Sequence, residues 1–220
     1  MVRPAALLCL AALAAPSPHL ADAALVPLPA PHRTGTVSVE AALASRRSVR
    51  AYDGKPLTLA EVGQLFWAAQ GITGPDGKRT APSARHRYPL ELAVVAQNVE
   101  GLPGGAYRYL PARHALELIA GAKPGVPLLG KATAQPQVNA APAVFVVAAV
   151  YERMDPGEKN RTWTDYEAGL ASENLLLEAV ALGLGAVVTG GIDAAAAREA
   201  VHLAAAEQVI VLVPVGHPAG

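Results

Sequence analysis

The sequence predicts an α+β domain: a mixed central sheet flanked by helices on both faces, completed by a second copy of the chain. Three observations predict it. Near-continuous apolar runs at 90–96 (LELAVVA), 143–150 (AVFVVAAV) and 208–215 (QVIVLVPV) suit strands covered on both faces rather than half-exposed ones. A long helical pattern near 163–184 is apolar around most of its circumference, so it needs cover on more than one side. A Thr58-Leu-Ala-Glu61 capping box opens another helix, because each side chain can satisfy an orphan N–H of the other residue.

Composition narrows the class. The chain has 220 residues, enough for one well-buried domain and short for two. Hydrophobic residues make up 52% and charged residues 16%, which excludes a disordered chain. Eighteen basic and 18 acidic side chains leave a net charge of +0, giving no general attraction for nucleic acid or an anionic membrane. Any bound anion must therefore be held by a local cluster. The histidines are scattered without a His-x-x-x-His spacing, and Cys9 is the only cysteine, so a metal hydrolase is disfavoured. A dinucleotide fold is disfavoured too, since Gly183-Leu-Gly185 is followed by Val188 and enters a strand instead of opening a helix.

Along the chain, residues 1–23 read as a signal peptide. Arg3 is a short positive region, residues 4–15 (PAALLCLAALAA) are its apolar core, and Ala21-Asp22-Ala23 is a cleavage pattern. The apolar run is well short of the roughly 20 residues a membrane-spanning helix needs. Export to the periplasm or beyond is therefore expected, with no membrane attachment after cleavage. Residues 24–36 are proline-rich and aperiodic and read as an exposed arm or linker. The domain is expected over 37–220. It opens with a short helix near 38–46, followed by the capped helix carrying Leu59, Val62, Leu65, Phe66 and Ala69, with Gly71 at its C-terminal end. A hairpin is expected at 106–110 and 115–119, and a short strand at 186–189.

Three segments carry chemistry. In Ser45-Arg-Arg-Ser-Val-Arg-Ala-Tyr52, three arginines and two hydroxyls can surround a phosphate, each charge-assisted bond being worth roughly 1.5–3 kcal/mol when shielded. The segment follows a helix C-terminus, so an anion there needs explicit cations; equally, the arginines could simply complement that helix end in water. In Thr80-Ala-Pro-Ser-Ala-Arg85, a small-residue loop feeding a buried strand either admits a flat ring beside Ser83 or is an ordinary connection. In Thr189-Gly190-Gly191, paired glycines at a strand end expose N–H groups to a ligand or form a tight turn before a helix.

RRSVRAY, LFWAAQGIT, RTAPSA…YPLEL, GLPGGAYRYLPARHALEL, YEAGLASENLLLEAVALGLGAVVTGGID and VPVGHP follow one another in an order that resembles the SagB/ThcOx-type branch of the nitroreductase superfamily. The resemblance covers nearly all the chain after residue 36. It implies a nitroreductase-like homodimer that binds FMN at the subunit interface and moves a hydride through flavin N5 to or from a small organic substrate, with NAD(P)H as a possible electron donor. By the same resemblance, Arg46, Arg47, Ser48 and Arg50 would hold the phosphate, ribityl chain and pyrimidine edge. Pro82, Ser83 and Ala84 would line the isoalloxazine from the other subunit, and Gly190 and Gly191 would place N–H groups near N5. No side chain need act as acid, base or nucleophile.

The chain departs from the family pattern at four places. Arg85 stands where glycine usually follows Pro-Ser-Ala, and Glu173 replaces a common glutamine. Lys159-Asn160 stands where azoline oxidases carry Lys-Tyr, which argues against that reaction. The sequence ends without the basic residues that help hold phosphate in many nitroreductases, so weaker FMN retention is expected. The alternative from another class is an exported flavin-fold protein that binds a ligand without turnover.

Overall fold

A computed structural model of the chain describes residues 25–122, 127–154 and 159–220. Residues 1–23, expected to be a signal peptide, lie outside the described residues. Seven strands form one sheet: β1 (Leu25–Pro27), β2 (Leu90–Ala96), β3 (Gly105–Leu110), β4 (Ala115–Gly121), β5 (Ala143–Ala149), β6 (Gly185–Ala186) and β7 (Gln208–Gly216), in the order β1-β4-β3-β2-β5-β7-β6. Every pairing between these strands is antiparallel, and the parallel pairings are isolated bridges, Ser48 with Ala186 and Leu57 with Val99. The mixed character expected of the sheet is thus confined to its margins.

The apolar runs become strands because both faces are covered. All seven residues of β5 are buried, as are six of the seven in β2. On one face lie α2 (Leu59–Gln70) and α4 (Lys159–Ala181), with Phe66 stacked on Tyr109 at 4.6 Å and edge-on to Phe145 at 4.8 Å. On the other, Val138 of α3 (Pro136–Ala140) and Ala197 of α5 (Ala194–Ala200) pack with Val144, Val146 and Leu212. The remaining helix, α1 (Val39–Ser45), lies against α4.

The capping box forms as read: Glu61 Oε2 accepts from the Thr58 N–H at 2.7 Å, and Thr58 Oγ1 accepts from the Glu61 N–H at 3.2 Å. Gly71 does end α2, but for a reason other than left-handed backbone. Its φ is −65°, and a Cβ there would stand 2.2 Å from Trp67 Cδ1.

One expectation is corrected. The proline-rich segment is not a free arm: residues 25–27 pair with β4, Leu28 is buried, and the backbone of His32 exchanges two hydrogen bonds with the Gln64 side chain. Pro27 is tolerated because β1 is an edge strand, where a missing N–H costs no ladder bond.

Candidate functional site

The arginine segment is fixed to the far edge of the sheet. Ser48 bridges to Ala186 in β6, and the Val49 N–H donates to the Ala186 carbonyl at 3.1 Å. Three residues on, Tyr52 bridges to Pro218 and its hydroxyl donates to the carbonyls of Val49 and Pro214. Burial pushes that phenol far above its ordinary pKa, so it stays a neutral donor. The approach to β6 requires Gly185: a Cβ there would stand 2.5 Å from Val49 Cγ1.

The side chains of the four residues expected to hold a phosphate and its neighbours differ in employment. Arg46 turns to α4 and faces Glu173, Nε to Oε1 at 3.6 Å, with both side chains partly exposed. Arg47 donates to the carbonyls of Ala44 and Arg46, the helix-end role that the sequence left open. Arg50 donates to the Ser48 carbonyl at 3.3 Å. Arg47, Ser48 and Arg50 are exposed, Arg46 half-buried. Between α1, α4 and β6 lies a cavity of about 320 Å³, with Arg46 and Arg47 on one side and Leu176, Val180, Leu184 and Ala186 on the other. Ser48, Arg50, Gly190 and Gly191 are not among its walls.

The paired glycines lie just beyond β6. Thr189 bridges back to Leu212, and the Gly191 carbonyl accepts from Gln135 Nε2 at 2.9 Å. Gly190 and Gly191 are exposed, and among the described residues neither N–H donates to a protein acceptor. The Thr189 hydroxyl beside them is buried and without a partner. Of the three guanidiniums only Arg46 has a carboxylate close by among the described residues, so the segment keeps cationic donors that a phosphate could take.

The third segment stands apart within one chain. Ala84 N–H donates to Glu167 Oε1 at 2.7 Å, and Ser83 Oγ accepts from the Tyr88 N–H at 2.8 Å. Glu167 is buried, which pushes its carboxyl above its ordinary pKa against the Ala84 N–H and the Ser83 hydroxyl, both of which favour the charged form. The loop thus meets α4 at Glu167, about 9 Å of helix rise from Glu173, the partner of Arg46. Arg85, His86 and Tyr88 all have positive φ, at 54°, 55° and 45°. Such backbone favours glycine and costs other residues about 1–2 kcal/mol, which explains physically why glycine suits position 85.

Glu167, Gln135 and Gly185 were missed as supports of the site. Glu167 alone left a usable signal, since a carboxylate on the apolar side of a buried helix must find a partner. Among the described residues no cluster of His, Cys, Asp and Glu could hold a metal ion, and no helix is long and apolar enough to cross a membrane.

Comparison with known proteins places the family. Residues 43–217 match the Nitroreductase family model. A candidate nitroreductase of Methanocaldococcus jannaschii is 37% identical over 182 residues, 82% of this chain and 91% of the relative. The crystal structure of a candidate nitroreductase from Ralstonia eutropha superposes with a TM-score of 0.77 at 32% identity, covering 89% of this chain and 90% of that one. At 24% identity a nitroreductase from Desulfovibrio desulfuricans, solved in complex with FMN, shares the fold, with a TM-score of 0.60 over 83% of this chain and 87% of its own. The chain belongs to the nitroreductase family and is on that ground an oxidoreductase.

Proposed function

We propose that the protein is an FMN-dependent oxidoreductase that moves two electrons between small organic molecules. The observation that carries this reading is the use of one short strand for two purposes. β6 anchors the arginine and hydroxyl segment through Ala186, and it leads directly to the free N–H pair of Gly190 and Gly191. A structure of the same fold was solved with FMN, which supports the choice of flavin. Bound FMN would supply the two-electron chemistry, accepting a hydride at N5 from one molecule and passing it to the next. The chain supplies binding and charge. Arg46 and Arg47 would neutralise the phosphate, Arg50 would stabilise negative charge at the pyrimidine edge, and the glycine N–H groups would donate near N5.

The same reading makes the protein a homodimer. Tyr166 and Leu170 of α4 are 66% and 47% exposed, and Val39 and Leu43 of α1 are 65% and 56% exposed, an apolar surface that a second copy would cover. Pro82, Ser83 and Ala84 would then line the flavin of the partner subunit. The SagB/ThcOx-type assignment stands on the order of the motifs, as export stands on the pattern of residues 1–23. Because NAD(P)H is scarce outside the cytoplasm, a dehydrogenase passing electrons to an exogenous acceptor fits an exported protein best.

The test is direct. Purified with FMN, the protein should be yellow and should bleach anaerobically with NAD(P)H or with an oxidisable substrate. Yellow protein that no donor bleaches would favour the ligand-binding alternative, and protein that never takes up FMN would end the proposal. N-terminal sequencing of the secreted form should begin at Ala24; retention of residue 1 in the mature protein would refute export.

A further inference from the structure

We propose that a second cavity, between α2 and strands β2 and β3, binds a small organic monocarboxylate through Arg79 and Arg153. It encloses about 220 Å³, and Leu90, Leu92, Tyr109 and Pro111 give it apolar walls. Arg79 enters it half-buried, with its guanidinium 4.4 Å from the Tyr88 ring centroid and one N–H donated to Gln70 Oε1 at 3.0 Å. A guanidinium carries five N–H donors in a plane, and a neutral carboxamide occupies one of them. Among the described residues no carboxylate forms an ion pair with Arg79; burial lowers its pKa, and the charge of Glu91, which also lines the cavity, offsets that only in part.

The neighbouring charges set the valence of the ligand. Arg108 holds Glu207 with both ends of its guanidinium and also reaches Glu91 Oε2 at 3.1 Å. The other oxygen of Glu91 is taken by Arg153, which also lines the cavity and donates to the Tyr88 carbonyl at 3.3 Å. The charged residues that line the cavity are Arg79, Arg153 and Glu91, two positive charges against one negative, while Arg108 and Glu207 stand outside it. Both Glu91 oxygens are engaged away from Arg79. One uncompensated positive charge in an apolar cavity selects a monoanion with an apolar body; a carboxylate offers the planar pair of oxygens that a guanidinium matches best. An inorganic phosphate, more highly charged and with no apolar part, is a poorer match.

The site lies outside the flavin-binding segments, and its reading does not depend on theirs. The experiment titrates the full chain, saturated with FMN, with butyrate, butyramide and inorganic phosphate by calorimetry. Butyrate should bind one to one at millimolar concentration or below, and butyramide and phosphate at least about tenfold more weakly, the loss expected for a buried charge-assisted pair. Arg79→Gln should weaken butyrate by a similar factor, whereas the exposed Arg113→Gln should leave it unchanged. Equal binding of butyramide, preference for phosphate, an unaffected Arg79→Gln variant, loss in Arg113→Gln or absence of butyrate binding would each overturn the proposal. Should Arg79→Gln fail to fold, the butyrate and butyramide comparison on the unsubstituted chain decides alone.

Discussion

Gly185→Ala is the sharpest probe of how the arginine segment is held. The added Cβ would stand 2.5 Å from Val49 Cγ1, 2.7 Å from Val49 Cβ and 3.0 Å from Val49 Cγ2. All three are closer than normal contact, and a β-branched side chain has no easy rotamer to swing into. The strain must therefore move backbone, and the nearest movable backbone is the Val49 N–H to Ala186 carbonyl bond at 3.1 Å. Overpacking of this kind costs about 1–3 kcal/mol. For a domain of this size each kcal/mol lowers Tm by about 2–4 °C, so a drop of roughly 2–12 °C is expected by circular dichroism. Displacement of Ser48 and its neighbours from β6 should also weaken FMN binding, read by quenching of flavin fluorescence. Combining Gly185→Ala with Val49→Gly removes all three contacts and should recover most of the affinity. A Gly185→Ala protein with unchanged Tm and unchanged FMN affinity would refute the view that this contact positions the cationic segment.

Three further outcomes are expected. Arg46→Ala should raise the FMN dissociation constant roughly 10- to 100-fold, through loss of a charge-assisted phosphate contact. Its exposed pairing with Glu173 contributes little to folding, so Tm should hold. Glu167→Ala removes the acceptor of the Ala84 N–H and should destabilise by about 1–3 kcal/mol in urea unfolding. Glu167→Gln keeps an acceptor and removes the titration. Because the folded pKa is raised, wild-type stability from this group is complete below the ordinary carboxylate range and is lost as pH rises through the raised value. The variant should therefore gain on wild type across that window, and parallel pH profiles would contradict the assignment. Leu170→Glu places a charge in the apolar face of α4 and should give folded monomers in sedimentation, with a dimeric variant counting against that face as the interface.

What could be read from the sequence follows from where each element finds its partners. β2, β5 and β7 were legible because cover on both faces forces an unbroken apolar run, and α2 because its cap is spelled out in Thr58 and Glu61. β1 was illegible: its three residues owe their strand to the open edge of β4, and Pro27 is a local signal against one. β6 is shorter than the apolar stretch 186–189, since Val188 is exposed and Thr189 meets β7 only at a single bridge. The arginine segment was readable as a cationic cluster, but the split between Arg47 on helix carbonyls and Arg46 toward Glu173 depends on side-chain directions that no pattern encodes. Position 85 shows the reverse case, in which a departure from the family pattern marked a spot where the backbone is left-handed.

In the homodimer proposed above, the long helix would bring these parts together from two chains. Tyr166, Leu170 and Glu173 follow one another at i, i+4 and i+7, so they share one face of α4. The ion pair of Arg46 therefore stands at the rim of the exposed apolar patch, not behind it. A second copy covering Tyr166 and Leu170 would come down beside Arg46 and displace water from around an anion held there, strengthening each of its hydrogen bonds. Glu167 lies one residue off that face and is buried against the Pro82–Ala84 loop of its own chain, which keeps the loop at the other side of the same patch. Under a two-fold axis through the patch, the loop of one chain comes to the rim of the other. On this arrangement Leu170→Glu should lose dimer and flavin together, while Arg46→Ala loses flavin alone. A Leu170→Glu monomer that bound FMN as tightly as the dimer would show that one chain holds the whole site.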